Sequence, residues 1–163
     1  MWFYAISAAI VLLDQGAKAY MSSILPLCEP GDCPSIDILP VFKLTLLHNE
    51  GAAFSFLSDA GGWQRWLLVF ISTSVSTVVA VWLYRVRHSE KLLCFALALI
   101  LGGAIGNLID RAVTGYVVDF FVAYYRDWYF PAFNIADSAI SVGAALLVLD
   151  MLLKPKLVEH ANG

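Results

Sequence analysis

Four long apolar stretches dominate the pattern of hydrophobic and polar positions along this chain of 163 residues. They cover about residues 2–21, 63–84, 92–109 and 135–153. Each stretch is about as long as the ~20 helical residues that cross a hydrocarbon core of about 30 Å. The pattern therefore predicts an all-α membrane protein with four transmembrane helices, folded as a single membrane-embedded domain over residues 1–163.

The composition agrees with this prediction. Hydrophobic residues make up 60% of the chain and charged residues 14%, whereas soluble domains average about 45–50% apolar and about a quarter charged. The formal net charge is −3 and no basic stripe is present. Membrane lipids are thus expected partners, and nucleic acid is not.

The first apolar stretch has a second interpretation, as a cleaved signal peptide. Ala17-Lys18-Ala19 resembles a cleavage site with small residues. However, no Lys or Arg precedes the apolar run, and Asp14 and Lys18 lie inside it, which is not typical of signal peptides. We therefore expect this stretch to remain as the first span.

Basic residues in the short loops predict the orientation in the membrane. Dense clusters flank the second, third and fourth stretches on one side, namely Arg85, Arg87 and Lys91, then Lys154 and Lys156. By the positive-inside rule this side is cytoplasmic. Both termini are then cytoplasmic, and the loops of about residues 22–62 and 110–134 are extracytoplasmic.

The extracytoplasmic loops contain a pattern typical of β structure. Residues 41–46 alternate between apolar and polar side chains, which predicts a half-buried strand with Lys43 and Thr45 on the solvent face. Residues 51–57 fit either a second strand or a short helix on the membrane. The sequence leaves the structure of residues 117–121 open.

Cys28 and Cys33 lie in the first extracytoplasmic loop and flank a Glu-Pro-Gly-Asp turn. An oxidising compartment would allow a small disulfide there. We expect the disulfide, with two free thiols as the alternative.

Polar residues inside membrane spans indicate functional positions, because ionisable groups are costly in hydrocarbon. The predicted orientation brings the outer ends of the first, third and fourth spans to one membrane face. The polar residues near these ends are Asp14, Gln15, Lys18, Asn107, Asp110, Arg111, Asn134 and Asp137. We therefore predict that they converge.

Most of these residues also have a purely structural interpretation. Asp14 and Lys18 are spaced i,i+4 and fit a mutually neutralising pair on one helix face. Asn134 is a good helix N-cap, and Asp137 suits the positive first turn that follows it. Gly103, in a glycine-rich part of the third span, would let another helix backbone come close.

Asp119 is harder to explain structurally, because it lies in the apolar run of residues 117–121. Asp119 and Asp137 are predicted to reach the same face, and two carboxylates that share a site titrate apart. One of them can then deprotonate water while the other donates a proton to a carbonyl, without metal or cofactor. A serine paired with Lys18 is the alternative, but Asp14 one turn away would keep that lysine charged.

Five motifs resemble the lipoprotein signal peptidase (signal peptidase II) family, and they occur in the family's order. They are Asp14-Gln-x-x-Lys18, Asn49-x-Gly51-Ala-Ala-Phe54, Gly102-Gly-Ala-x-Gly-Asn107-x-x-Asp-Arg111, Val117-Val-Asp119-Phe and Phe133-Asn-x-Ala-Asp137-Ser. Each motif alone is weak, whereas the five together are specific.

The resemblance implies that Asp119 and Asp137 form the catalytic dyad of an aspartic endopeptidase with no metal and no cofactor. It implies substrate-binding or supporting roles for Asp14, Lys18, Asn49, Gly51, Gly103, Asn107, Arg111 and Asn134. The substrate would be a bacterial prolipoprotein with a diacylglyceryl cysteine, cut just before that cysteine. Cleavage would occur at the extracytoplasmic face of the inner membrane, and we expect a monomer.

A small transporter or a proton-relay protein is the rival class. Such a protein would also hold charges at membrane depth, but it would need them through the full thickness of the bilayer. In this chain the inner halves of the second to fourth spans are nearly free of charge, apart from Asp150 at the boundary.

Overall fold

The computed structural model describes residues 2–51, 62–88 and 90–153. Over these residues the chain forms four long helices and one antiparallel sheet. The helices are α1 (Trp2–Ile24), α2 (Trp63–Val86), α3 (Lys91–Val113) and α4 (Ile135–Leu153). The strands are β1 (Ile36–Leu39), β2 (Phe42–Asn49), β3 (Val117–Tyr125) and β4 (Trp128–Tyr129). Each helix contains one of the four predicted apolar stretches, so these predictions are confirmed as helices.

Among the described helices, α2, α3 and α4 are long and apolar enough to cross a membrane. Helix α1 is equally long, at 23 residues, but it carries two charged side chains, Asp14 and Lys18. Both of these side chains are buried against the protein, while Leu12 and Leu13 are exposed. The polar side of α1 therefore faces the other helices.

Helix α3 is the centre of the bundle and packs against the three other helices. Its glycines explain how closely the backbones approach. A Cβ atom on Gly103 would overlap the carbonyl oxygen of Ala136 in α4, and one on Gly102 would lie 2.8 Å from the Cβ of Ile10 in α1. The predicted packing role of this glycine-rich segment is confirmed.

The sheet has the strand order β1-β2-β3-β4 and combines strands from the two loops. Strand β2 pairs antiparallel with β3, which places Leu47 opposite Asp119. Strand β3 is in turn attached to the segment that enters α4, because the backbones of Phe121 and Phe133 exchange two hydrogen bonds of 2.9 and 3.0 Å. The sheet thus holds β3 at the N-terminus of α4.

The strand predicted at residues 41–46 is present as β2, but one face was predicted wrongly. Thr45 is buried, with 2% of its surface exposed. Its hydroxyl donates a 2.8 Å hydrogen bond to the carbonyl of Pro34, and the register shifts between Leu44 and Leu47. This bulge and the covering loop override the simple alternation.

Two further loop predictions have different outcomes. The undecided residues 117–121 belong to β3. The prediction for residues 51–57 lies, apart from Gly51, outside the described residues.

The predicted disulfide between Cys28 and Cys33 is present. The amide of Cys28 donates to the carbonyl of Leu46 at 2.8 Å. The disulfide loop is therefore attached to β2.

Candidate active site

Asp119 is the third residue of β3, and its side chain is almost fully buried. Two side-chain amides hold its carboxylate. Asn134 Nδ2 donates to Oδ1 at 2.7 Å, and Asn49 Nδ2 donates to Oδ2 at 3.1 Å. The acid is thereby fixed between β2 and the start of α4.

Asp137 lies in the first turn of α4, and Asn134 caps this helix as predicted. The amide of Asp137 donates to Asn134 Oδ1 at 2.9 Å, and the amide of Asn134 donates to Asp137 Oδ2 at 3.3 Å. Such a reciprocal pair is a capping box. The remaining oxygen, Asp137 Oδ1, accepts a 2.7 Å hydrogen bond from Asn107 Nδ2.

Asn134 contacts both carboxylates and so connects the two acids. Its side-chain amide also donates to Asn107 Oδ1 at 3.2 Å, and that oxygen accepts a 3.0 Å hydrogen bond from Lys18 Nζ. Because the oxygen of Asn107 faces the ammonium, its NH₂ group must face Asp137. Lys18 thus orients the amide that holds the second acid.

A buried ion cluster of Asp14, Lys18 and Asp110 lies next to these amides. Lys18 Nζ is 2.7 Å from a carboxylate oxygen of each aspartate. Gln15 donates to Asp110 at 2.8 Å, and the amide of Ala136 donates to Asp14 at 2.9 Å. The cluster joins α1, α3 and the first turn of α4.

This cluster bears on the alternative of a serine–lysine dyad. All three donors of the Lys18 ammonium are engaged, by Asp14, Asp110 and Asn107. With every donor engaged, Lys18 has no free position from which to act on a serine hydroxyl. Sequence reasoning placed Asp110 and Gln15 at this face, but it did not predict that Asp110 holds Lys18 or that Gln15 donates to Asp110.

The environment of Asp119 favours its protonated form. Burial raises the pKa of Asp119 to about 7, and the neighbouring carboxylate of Asp137 contributes to the rise. The hydrogen bonds from Asn49 and Asn134 and the charge of Lys18 lower this pKa in part. Asp119 can therefore hold a proton at a much higher pH than an ordinary aspartate.

Arg111 connects the α3 end of the site to the residues that follow β2. Its Nη2 donates to the carbonyl of Gly51 at 3.1 Å, and the amide of Gly51 donates to Asn49 Oδ1 at 3.1 Å. The oxygen of Asn49 is thus occupied, which directs its NH₂ group to Asp119. Sequence reasoning missed Arg65, which donates to the carbonyls of Arg111 and Ala112 at 3.0 and 2.7 Å and caps α3.

Both acids line a cavity of about 600 Å³. Its walls combine the polar groups described above with apolar side chains from β2, from β3, from the segment before α4 and from α4. The apolar residues include Leu47, Val117, Phe130, Pro131, Phe133, Ile140 and Val142. Among the described residues, no group of three or more His, Cys, Asp or Glu side chains is placed to hold a metal ion.

The structure brings most of the predicted site residues together. Asn49, Asn107, Arg111, Asp119 and Asp137 line the cavity. Lys18, Gly51 and Asn134 contact these residues from behind, and Asp14 contacts Lys18 in turn. Gly103 is different, because it packs under Ala136 in the α3–α4 contact.

The family model described as Signal peptidase (SPase) II matches residues 6–153 of the chain. The chain belongs to this family.

Curated members of the signal peptidase II family align along nearly the whole chain. The lipoprotein signal peptidase of Pseudomonas aeruginosa (strain UCBPP-PA14) is 48% identical over 164 residues, which cover 99% of this chain and 94% of the relative. The lipoprotein signal peptidase of Cellvibrio japonicus (strain Ueda107) is 47% identical over 155 residues, which cover 94% of this chain and 88% of the relative.

Solved structures agree with the fold. A structure described as a bacterial membrane enzyme superposes with a TM-score of 0.75 at 25% identity, and covers 99% of this chain and 93% of its own. The comparisons give no support to the transporter or proton-relay alternative. The identification made from the five motifs is confirmed.

Proposed function

We propose that this protein is an intramembrane aspartic endopeptidase of the signal peptidase II family, and that it removes signal peptides from bacterial prolipoproteins. One observation carries the catalytic part of the proposal. Two carboxylates, the buried Asp119 and the partly buried Asp137, are held by the same asparagine, Asn134, at one cavity. Membership of the family supports the proposed substrate class, and the two acids support the proposed reaction.

The two acids perform the hydrolysis as a pair that holds one proton. The ionised carboxylate takes a proton from a water molecule, whose oxygen forms a bond to the scissile carbonyl carbon. The protonated partner donates to the carbonyl oxygen, and a proton is then passed to the leaving amide nitrogen as the C–N bond breaks. The amides of Asn49, Asn107 and Asn134 hold both carboxylates in place throughout.

The proposed membrane arrangement has four spans, with α1 as the first and both termini in the cytoplasm. The buried charges of α1 support this, because Asp14 and Lys18 neutralise each other inside the bundle. The active site then lies at the extracytoplasmic end of α1, α3 and α4. The sheet lies on the same side and covers it.

Reporter fusions test this arrangement. A reporter fused after residue 88 is expected to give a cytoplasmic signal, and one inserted near residue 59 an extracytoplasmic signal, because of the basic cluster around Arg85 and Arg87. Alkaline phosphatase and a fluorescent protein, each fused at both positions, measure the two outcomes. The reverse pattern would contradict the proposed orientation.

The substrate prediction is that a diacylglyceryl cysteine follows the cleaved bond. The cavity supports it, because apolar side chains such as Phe130, Pro131 and Val142 line the same cavity as the two acids. A synthetic prolipoprotein peptide is expected to be cut just before the cysteine only when that cysteine carries the lipid. Mass spectrometry of products from the lipidated and unlipidated peptides gives the measurement, and equal cleavage of both would contradict it.

The pH dependence of cleavage is expected to be bell-shaped. The pair is active when it holds one proton, so activity falls above about pH 7 as Asp119 loses its proton. Asn49 lowers the pKa of Asp119 by its hydrogen bond. Asn49→Ala should therefore raise this pKa and move the alkaline limb of kcat/KM to higher pH. An alkaline limb that stays in place, or moves to lower pH, would contradict the proposed role of Asp119.

A further inference from the structure

A polar side chain with no assigned role lines the cavity about one helical turn beyond Asp137. Ser141 is in α4, four residues after Asp137 and on the same side of the helix. Four helical residues rise about 6 Å along the axis. Ser141 lines the cavity and is exposed.

The hydroxyl of Ser141 is available for a ligand. In membrane helices such a hydroxyl usually bonds the carbonyl four residues earlier, as Ser138 does with Asn134 at 2.9 Å and Ser74 with Phe70 at 2.8 Å. The hydroxyl of Ser141 makes no hydrogen bond to the described part of the chain. The side chains of its neighbours in the cavity wall, Ile140 and Val142, are apolar and have no group that could accept or donate a hydrogen bond.

The other face of α4 shows why Ser141 points into the cavity. Ala136 and Gly143 are buried, and a Cβ on Gly143 would lie 2.8 Å from the carbonyl oxygen of Ala96 in α3. This small-residue face is therefore occupied by α3. Asp137, Ser138 and Ser141 lie on the side of α4 that lines the cavity.

The direction of the substrate follows from the proposed orientation. The apolar part of a signal peptide precedes the scissile bond and lies in the membrane, while the mature part follows the bond on the outside. Residues before the scissile bond therefore pass the part of the cavity below the acids. An extended peptide rises about 3.3 Å per residue, so a depth of about 6 Å corresponds to roughly two residues.

We infer that the Ser141 hydroxyl binds the substrate backbone about two residues before the scissile bond. The inference rests on the proposed function. An extended peptide in a hydrocarbon environment leaves N–H and C=O groups without partners, which is costly. A hydroxyl can donate to one such group or accept from it. Ser141 would thus hold the signal peptide in the extended form that brings the scissile carbonyl to the two acids.

The test uses the full-length protein in detergent and a diacylglyceryl-modified substrate peptide. Ser141→Ala is expected to raise KM roughly 3- to 10-fold with little change in kcat, as for one lost hydrogen bond of ordinary strength. Ser141→Thr keeps the hydroxyl and should restore most of the affinity. Ser74→Ala removes a hydroxyl from α2, outside the cavity, and should leave KM unchanged. Alanine favours helices, so the Ser141→Ala variant should fold.

A second set of substrates identifies the contact. Three peptides each carry one ester in place of the first, second or third peptide bond before the cleaved one. One ester should weaken cleavage by the wild type but not by Ser141→Ala. Equal kinetics for wild type and Ser141→Ala, or equal losses from every ester in both proteins, would overturn the inference. If the wild type itself fails to cut the unmodified lipidated peptide, the proposed function fails instead.

Discussion

Asp119→Asn and Asp137→Asn are each expected to lower cleavage of a lipidated prolipoprotein peptide by at least about 10²–10⁴-fold. An asparagine neither deprotonates water nor donates an acidic proton to the carbonyl. The two acids act as a unit, so the loss in either single variant should approach the loss in the double variant. Product formation measured by mass spectrometry over long incubations gives the size of the effect.

The size of the activity loss shows whether an aspartate takes part in the reaction or only holds the site together. Each carboxylate accepts two hydrogen bonds, Asp119 from Asn134 and Asn49, and Asp137 from Asn107 and the Asn134 backbone. An asparagine at either position replaces one acceptor oxygen by a donor and loses one of these bonds. A lost hydrogen bond costs about 1 kcal/mol, or roughly 5-fold. A loss of 100-fold or more therefore requires a direct role in the reaction.

Asp127→Asn is the matched control, because this acid is exposed in the turn between β3 and β4. It should cleave as the wild type does. Both site variants should still bind the lipidated peptide and unfold at temperatures near that of the wild type. The proposed dyad is wrong if a folded Asp119→Asn or Asp137→Asn variant keeps more than a few per cent of wild-type cleavage.

Lys18→Met is expected to destabilise the fold by about 3–5 kcal/mol, the typical cost of removing one partner of a buried ion pair. Asp14 and Asp110 would be left as two buried carboxylates with no cation between them, since Lys18 Nζ lies 2.7 Å from each. The yield of folded protein and the thermal unfolding temperature in detergent should both fall. Lys91→Met, at the exposed start of α3, is the matched control and should change neither.

A variant with an uncharged cluster distinguishes its role in fold stability from its role in orienting Asn107 for cleavage. Combining Lys18→Met with Asp14→Asn and Asp110→Asn removes the uncompensated charge, so the unfolding temperature should recover in large part. Cleavage should stay low, because Asn107 Oδ1 has then lost the ammonium that directs its NH₂ group to Asp137. Full recovery of cleavage would show that the cluster only stabilises the fold.

The sequence by itself determined the helices and much of the candidate site. Apolar stretches of membrane-spanning length predict the helices directly, because no soluble helix needs about 20 apolar residues in a row. Burying a charge in a membrane is costly, so the presence of Asp14, Lys18 and Asp137 in apolar stretches indicates a functional site. The cap of α4 by Asn134 was also predictable, since capping depends on neighbouring residues only.

Only the tertiary structure decided which polar groups meet. The partner of Asp119 at Oδ2 is Asn49, which is 70 residues away, and the amide of Ala136 reaches Asp14 across 122 residues. Such contacts depend on how α1, α3 and the sheet pack together. The burial of Thr45 likewise follows from a bulge and from the loop that covers it. The local sequence pattern predicts where a helix or strand lies and how it is capped. Contacts between distant residues depend instead on how the elements pack together, which no single segment of the sequence specifies.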